Sequence, residues 1–337
     1  IETVSLPESL TTINNGAFKG CSKLTSIDIP NKVTKLNDNT FAYCTSLKNV
    51  SIGSGCTSIS ATAFVNTSSI DRITVSEDNK NFTVVDGVLY NKDMTTLVLY
   101  PKNCSGEFAV PDTVTTIADY AFYESPNITK ITIGKNVKTI GNYAFYNCPA
   151  LFKVDFGNAV KTIGSYSFAV NDSIESIEFP DSLESIGDNA FIAYPDGSYV
   201  ENKLKSVKFG KGLKTIGNNA FYRNQKLTNI EFTGENLTSI GSKAFQYCDF
   251  LTELNLKGNG ETVINYDAFY SNDALKKISL AGIKTIGDGA FEYCGDLNSV
   301  NFGEGLLSIG SCAFLNCPNI ETVSLPESLT TINNGAF

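Results

Sequence analysis

The sequence contains no histidine. Histidine is the commonest general acid or base in enzymes and the base of Ser–His and Cys–His hydrolases, so its absence removes those arrangements. No two cysteines have the C-x-x-C spacing of zinc sites, and the glycines form neither the Walker nor the Rossmann pattern. The carboxylates that a glycosidase would need are scattered over polar positions. We therefore predict no enzymatic activity, no cofactor and no metal.

An excess of positive charge and long apolar runs are also lacking. The chain has 26 Lys and Arg against 35 Asp and Glu, for a formal net charge of −9. Nucleic-acid binding needs a basic stripe, so a nucleic-acid partner is not expected. No apolar run approaches the roughly 18 residues of a transmembrane helix. No signal peptide is visible, and we expect any targeting segment to lie upstream of Ile1.

What the chain has instead is one stretch that recurs. Its clearest copy reads KTIGNYAFYNC, from Lys138 to Cys148. The phenylalanine of this stretch, here named the Phe position, returns at intervals of 22 to 24 residues in ten of twelve cases, the exceptions being 58 and 30. The thirteen copies are Phe18, Phe41, Phe64, Phe122, Phe145, Phe168, Phe191, Phe221, Phe245, Phe269, Phe291, Phe314 and Phe337. Self-similarity at such a period indicates a solenoid, in which each unit packs on its neighbours.

One repeat, Leu24 to Ser46, predicts the local structure. Residues 24–29 alternate polar and apolar side chains as a half-buried strand does, and Pro30 then ends the strand because it has no N–H to donate. A second short extended piece follows at Val33–Leu36. Stacked repeats would pair their strands in parallel and bury the apolar faces that a single repeat leaves open.

The position after the second strand, here named the Gly position, holds glycine in seven copies and asparagine in four. Both residues tolerate positive φ, so we predict a left-handed turn there. The Ala-Phe pair that follows is expected to begin a short helical or 3₁₀ turn.

Two insertions interrupt the period in what we interpret as a single domain spanning residues 1–337. Residues 84–90 and 96–100 are extended runs joined by a polar connection, which predicts a β-hairpin inserted at about residues 76–106. A turn-rich loop is predicted at about residues 194–201.

Six of the nine cysteines lie three residues after the Phe position, here named the Cys position. Other copies carry Thr, Ser or Asn there, and the irregular copy carries Tyr194, so the slot favours a small side chain that bonds nearby backbone in a tight turn. Buried thiols are the favoured interpretation. Cys21–Cys44 and Cys294–Cys317 would lie on adjacent repeats, so disulfides remain an alternative for these two pairs.

The pattern L-x-x-I-x-I-P-x-x-V-x-x-I-G-x-x-A-F-x-x-C resembles the bacterial-surface, BspA-like class of leucine-rich repeats over essentially the whole chain. The resemblance implies a right-handed solenoid of the α/β leucine-rich-repeat type, rich in β-structure, with parallel strands on a concave face and short strands or 3₁₀ turns opposite. It also implies secretion or display on a cell surface. The implied function is a non-enzymatic binding module for adhesion to extracellular host proteins or other cells, with an extracellular protein as ligand.

Two alternatives to this function stay open: a structural, self-assembling array with head-to-tail association, and a glycan-binding module. The candidate binding face consists of the two outward residues on each concave strand, although these positions would also serve simply to keep the sheet soluble. They are Ser26, Asp28, Asn49, Ser51, Arg72, Thr74, Lys130, Thr132, Lys153, Asp155, Ser176, Glu178, Ser206, Lys208, Asn229, Glu231, Glu253, Asn255, Lys277, Ser279, Ser299 and Asn301.

Tyrosines that follow the Phe position are a second candidate surface, at Tyr123, Tyr146, Tyr222 and Tyr270. Exposed tyrosines stack on sugars or anchor protein partners. Packing of Tyr123 against Tyr146 on the next repeat is the favoured alternative.

Residues 1–18 and 320–337 are identical, whereas other pairs of repeats differ at most outward positions. We expect this chain to be part of a longer protein with a super-repeat of about 319 residues, the offset between the two copies. A recent local duplication, or one filament segment represented twice, are the alternatives. Sequencing the full gene tests the idea: the residues after Phe337 should read Lys-Gly-Cys-Ser-Lys-Leu, and a stop codon there would refute it.

Overall fold

The structure is a computed structural model that describes residues 1–193 and 202–337. The described chain forms two compact units, Ile1–Leu151 and Phe152–Phe337. Each unit is a β-solenoid of stacked turns, and the thirteen copies of the Phe position correspond to about 13 turns in all. The predicted loop insertion at residues 194–201 lies outside the described residues.

The first unit contains twelve strands. They are β1 (Ser26–Ile29), β2 (Lys35–Leu36), β3 (Asn49–Ile52), β4 (Ser58–Ile59), β5 (Arg72–Val75), β6 (Phe82–Val85), β7 (Val88–Asn91), β8 (Thr96–Leu99), β9 (Gly106–Ala109), β10 (Thr116–Ile117), β11 (Ile128–Thr132) and β12 (Thr139–Ile140).

The second unit contains thirteen strands in the residues that the structure describes. They are β13 (Lys153–Asp155), β14 (Thr162–Ile163), β15 (Ser176–Glu178), β16 (Ser185–Ile186), β17 (Ser206–Phe209), β18 (Thr215–Ile216), β19 (Asn229–Phe232), β20 (Leu237–Ile240), β21 (Glu253–Ile264), β22 (Lys277–Ile286), β23 (Ser299–Asn301), β24 (Ser308–Ile309) and β25 (Thr331–Ile332).

Each turn contributes a longer strand and a short second strand, and equivalent strands pair in parallel from turn to turn. In the first unit the longer strands form the sheet β1-β3-β5 and the pair β9–β11, while β2 pairs with β4 and β8-β10-β12 form a second row. In the second unit β15-β17-β19 form one sheet, and the other runs from β14 through β16, β18, β20, β21, β22 and β24 to β25, with β23 beside β22. The predicted parallel solenoid is confirmed.

Strands β21 and β22 are longer than the sequence predicts. They run without a break through the position that holds proline in some other turns, such as Pro30 and Pro180, and at that position Lys257 pairs with Ala281.

The phenylalanines stack into ladders inside each unit. In the second unit the rings of Phe221, Phe245 and Phe269 follow one another at centroid separations of 5.1 and 5.2 Å, with planes within 7° of parallel. In the first unit Phe18, Phe41 and Phe64 stack at 5.4 and 5.6 Å. Because each ring fills the space beside the next, the ladder forms the centre of the core.

The Cys position bonds the backbone, but the partner is not in its own tight turn as predicted: it is the carbonyl of the Phe position one turn earlier. The Cys44 thiol donates to the Phe18 carbonyl at 3.0 Å, and the Cys148 thiol to that of Phe122 at 3.1 Å. Where the position holds threonine the bond is the same: the Thr67 hydroxyl donates to Phe41 at 2.9 Å. All nine cysteines are free thiols.

The predicted left-handed turn at the Gly position is wrong. Gly217 has no positive φ; left-handed residues occur two and six positions further on, as at Asn39 (φ 56°) and Tyr43 (φ 62°). The actual constraint is close approach of adjacent turns, because a Cβ on Gly217 would lie 2.5 Å from the carbonyl carbon of Gly187 and 2.6 Å from the amide nitrogen of Asp188.

The predicted 3₁₀ turn is replaced by separate hydrogen-bonded turns, and no helix occurs in residues 1–193 or 202–337. The N–H of Ala42 bonds the carbonyl of Asn39 at 3.1 Å, and that of Cys44 the carbonyl of Phe41 at 3.1 Å. A left-handed residue beside each of these bonds prevents the right-handed dihedral angles of one turn from continuing into the next.

The segment inserted in the first unit is a three-stranded antiparallel meander, β6-β7-β8. The run 84–90 that we interpreted as one strand reverses at Asp86 and Gly87, whose φ values are 50° and 81°. Strand β8 then pairs in parallel with β10, and the Tyr100 ring stacks on Phe122 at 4.7 Å. Tyr100 therefore occupies the Phe position of a turn that the sequence pattern does not reveal.

Replacing Phe245 by alanine should lower the free energy of unfolding by about 3–5 kcal/mol, because a fully buried ring between two others leaves a cavity. The matched control is Phe250→Ala in the same unit. Phe250 is 52% exposed and contacts the Lys226 amine at 5.4 Å, so its loss should cost less than about 1 kcal/mol. Denaturant unfolding measures both, and equal losses would contradict the ladder as the core.

Gly217→Ala should destabilise the second unit by about 1–3 kcal/mol, since one methyl group overlaps the backbone of the preceding turn. Gly295→Ala is the control, because its Cβ would meet only the Asp273 carbonyl oxygen, at 4.0 Å. Thermal unfolding distinguishes the two, and an unchanged Gly217→Ala melting temperature would refute the close-approach explanation.

Candidate functional site

A groove of about 990 Å³ lies in the second unit along β13, β15, β17 and β19. The two outward side chains of all four strands line it, so the structure brings eight of the predicted binding-face residues into one concavity. They are Lys153, Asp155, Ser176, Glu178, Ser206, Lys208, Asn229 and Glu231.

Strand alternation explains why these side chains point into the groove. Ile177, Val207 and Ile230 stand between the outward residues of β15, β17 and β19 and are buried in the core. Parallel pairing in register then places like positions side by side, with Glu178 beside Lys208 and Lys208 beside Glu231. The groove surface is therefore a grid of polar side chains on an apolar support.

Charges of both signs lie side by side in the groove. The Lys208 Nζ lies 2.9 Å from Glu178 Oε1, and the hydrogen bond and charge of Glu178, with the charge of Glu231, raise the pKa of Lys208. Lys153 forms a second ion pair with Asp155 at 3.4 Å. These groups are solvent-exposed, so the pairs contribute little to stability and remain open to exchange with charges on a partner.

The prediction missed groove residues that lie just after the strands. Lys211 and Asp181 follow β17 and β15 by two or three positions and line the groove. The Lys211 amide donates to Asp181 Oδ1 at 2.9 Å, and its Nζ lies 3.8 Å from Asp181 Oδ2. The sequence contains a signal for this pair. Asp181 follows Pro180 and Lys211 follows Gly210, which are equivalent positions, and charged residues at equivalent positions meet on adjacent turns.

The other predicted face residues are distributed over separate strands, and none of them is buried. In the first unit they lie on the β1-β3-β5 sheet and on β11, which pairs with β9. In the second unit they lie on β21, β22 and β23. They are Ser26, Asp28, Asn49, Ser51, Arg72, Thr74, Lys130, Thr132, Glu253, Asn255, Lys277, Ser279, Ser299 and Asn301.

The tyrosines form two different arrangements. Tyr123 stacks on Tyr146 at 5.1 Å with planes 8° apart, which confirms the predicted packing. In the second unit four partly exposed rings meet edge to face at 5.4 to 5.9 Å and form what we name the tyrosine row, Tyr222, Tyr247, Tyr270 and Tyr293. The Arg223 guanidinium lies over Tyr222 at 5.4 Å and over Tyr247 at 5.7 Å.

Within the part of the chain that the structure describes, no three His, Cys, Asp or Glu side chains come together as metal ligands would. The same residues include no helix with the length and apolar character needed to span a bilayer.

The chain is similar to proteins of the family described as the BspA type leucine-rich repeat region, whose pattern, with 6 copies, matches residues 1–85, 98–196, 196–281 and 262–337. It is similar to a solved leucine-rich cell surface protein from Faecalibacterium prausnitzii. The two share 26% identity and a TM-score of 0.55, over 65% of this chain and 62% of that one. It is also similar in fold to the pneumococcal vaccine antigen PcpA, with 20% identity and a TM-score of 0.57, over 77% of this chain and 64% of that one.

The chain thus corresponds to slightly less than two thirds of the length of each of these two proteins. A comparison with curated proteins finds no match.

Proposed function

Because the chain belongs to the BspA-type leucine-rich-repeat family, we propose that it is a protein-binding module whose groove along β13, β15, β17 and β19 holds an extracellular polypeptide. The observation that carries the proposal is the grid of charged and polar side chains in a concavity of about 990 Å³. Binding in such a groove requires no catalytic step.

The chemistry of the groove favours a polypeptide with charges of both signs. Lys153, Lys208 and Lys211 stand among Asp155, Glu178, Asp181 and Glu231, so neither a polyanion nor a polycation would meet a complementary surface throughout. Charges of mixed sign set the register of a partner more than they add affinity. Solenoids present continuous faces of this kind to extended partners.

A surface location is part of the proposal. The Faecalibacterium prausnitzii relative is described as a cell surface protein, and PcpA as a vaccine antigen. We propose by analogy that this chain is secreted or displayed at a cell surface, where it contributes to adhesion to host proteins or other cells.

The test is surface plasmon resonance of the purified chain against a panel of extracellular-matrix proteins. Lys208→Glu should weaken binding to a matrix ligand by about tenfold or more, since it breaks the ion pair with Glu178 and places a third carboxylate between Glu178 and Glu231.

Lys214→Glu is the matched control. It belongs to the same turn and makes an equivalent ion pair with the preceding turn, at 2.7 Å to Glu184, but it lies beside β18, outside the groove. Both variants change the net charge equally. Binding that weakens equally in the two would assign the effect to general electrostatics and contradict the groove.

The tyrosine row supports a second candidate function, the binding of glycans. Its partly exposed rings and the adjacent Arg223 offer faces on which sugars stack. A glycan array run beside the matrix panel separates the two functions. Binding that is lost in Tyr247→Ala and kept in Lys208→Glu would favour the glycan.

A further inference from the structure

A cavity of about 190 Å³ lies in the first unit, beside the inserted meander. Its lining is mainly apolar and comes from three parts of the unit: the turn before the meander, the meander itself and the turn after it. The lining residues on which the inference rests are Phe64, Val98, Leu99, Lys102, Asp119 and Tyr123.

The cavity exists because the meander interrupts the phenylalanine ladder. In the part of the chain that the structure describes, Phe64 stacks on one ring only, that of Phe41, whereas the next ring along the ladder, Tyr100, stacks on Phe122. Phe82 and Leu99 come from the meander and border the space without filling it. An interior normally packs without voids of this size, so a cavity here is unusual.

Lys102 is the one lysine among the fully buried side chains of the described residues, with 1% of its surface exposed. Its Nζ lies 5.5 Å from the ring centroid of Tyr123, which lines the same cavity. No described residue offers this amine a hydrogen bond or an ion pair within 4.0 Å. A buried amine without a partner is costly to a fold, and Lys102 is one of the residues that line the cavity.

The charges around the cavity disfavour an anionic ligand. Asp119 lines it, with its carboxylate accepting from the Asn142 amide at 2.7 Å. Glu124 is close enough to interact with Lys102, and burial raises the pKa of its carboxyl. With its nitrogen toward Glu124, the Asn66 side chain donates to that carboxylate at 2.9 and 3.0 Å. A further carboxylate brought by a ligand would add to this negative charge.

We propose that the Lys102 amine captures a small apolar aldehyde in this cavity as an imine. The nitrogen lone pair attacks the carbonyl carbon, and the resulting carbinolamine loses the former carbonyl oxygen as water. The neutral amine gives up its two N–H protons, and these become the two protons of that water. The reaction therefore needs no oxidant or reductant. The aldehyde's apolar body would pack against Phe64, Val98 and Leu99.

The protonation state of Lys102 suits this reaction. Burial lowers its pKa to about 8, although the charges of Cys148 and Glu124 act in the opposite direction. At pH 7 about one tenth of the amine is then neutral, against less than about one in a thousand for an ordinary exposed lysine. Desolvation in an apolar pocket is a recognised way to make a lysine nucleophilic.

The size of the cavity limits the ligand. An apolar cavity of about 150 Å³ admits benzene. A cavity of about 190 Å³ therefore has room for a single ring that carries a one-carbon aldehyde. Benzaldehyde is the probe of choice.

The experiment treats the purified full chain with benzaldehyde and cyanoborohydride at pH 7 and locates the benzyl groups by peptide mass spectrometry. Lys102 should react at least about tenfold faster than Lys138, an exposed lysine of the same unit. This preference should narrow above pH 8, where the neutral fraction of exposed lysines still rises while that of Lys102 approaches its limit.

Two variants separate the amine from the cavity. Lys102→Arg should leave no lysine that labels fast, and Val98→Phe should suppress the fast labelling of Lys102 by filling the space while the lysine remains; circular dichroism verifies that both variants fold. Labelling spread evenly over the lysines would overturn the proposal, as would fast labelling of Lys102 in Val98→Phe. Benzoate binding that depends on Lys102, without imine formation, would assign the cavity to organic anions and also overturn it.

Discussion

The hydrogen bonds between the backbones of consecutive turns are the constraint on which the rest of the structure depends. The N–H of Phe41 bonds the carbonyl of Ala63 at 2.8 Å, and that of Phe245 the carbonyl of Ala268 at 2.8 Å. They fix a turn-to-turn distance close to the strand spacing of about 4.8 Å. At that distance phenylalanine rings stack, a Cys-position thiol reaches the preceding turn, and a Cβ at Gly217 collides with Gly187.

The same constraint shapes the surface. Packing restricts which side chains can occupy the inward positions. The outward positions are fixed in place by register with the next turn, but their residue types are not restricted in this way. Residues such as Glu178, Lys208 and Glu231 therefore line up in rows whose composition the fold leaves free. Exposed ion pairs stabilise little, so the charge pattern of a row is available for recognition. A solenoid can in this way keep one core and present different grooves.

The meander shows what happens where the stacking rule is interrupted. Its last strand rejoins the row of short strands, and Tyr100 takes the place of a phenylalanine, so the ladder resumes after it. The ladder is not fully restored, because the Ser125 hydroxyl at the Cys position of the next turn finds no hydrogen-bond partner among the described residues and a cavity remains between Phe64 and Tyr123. The buried Lys102 amine lies where the regular pattern fails.

The sequence by itself determined the period, the parallel strands and the alternation that buries Ile177 beside exposed Glu178. These follow from one repeat stacked on its copy, so local pattern is sufficient. Only the tertiary structure decided what depends on distances between turns. Position 217 requires glycine because of a close backbone contact and not because of a dihedral angle. The chain reversal at Asp86–Gly87 interrupts a stretch of sequence that looks like one continuous strand. Likewise, neither the groove that gathers Lys153 to Glu231 nor the cavity beside Lys102 belongs to any single repeat, because each is bounded by residues from several turns.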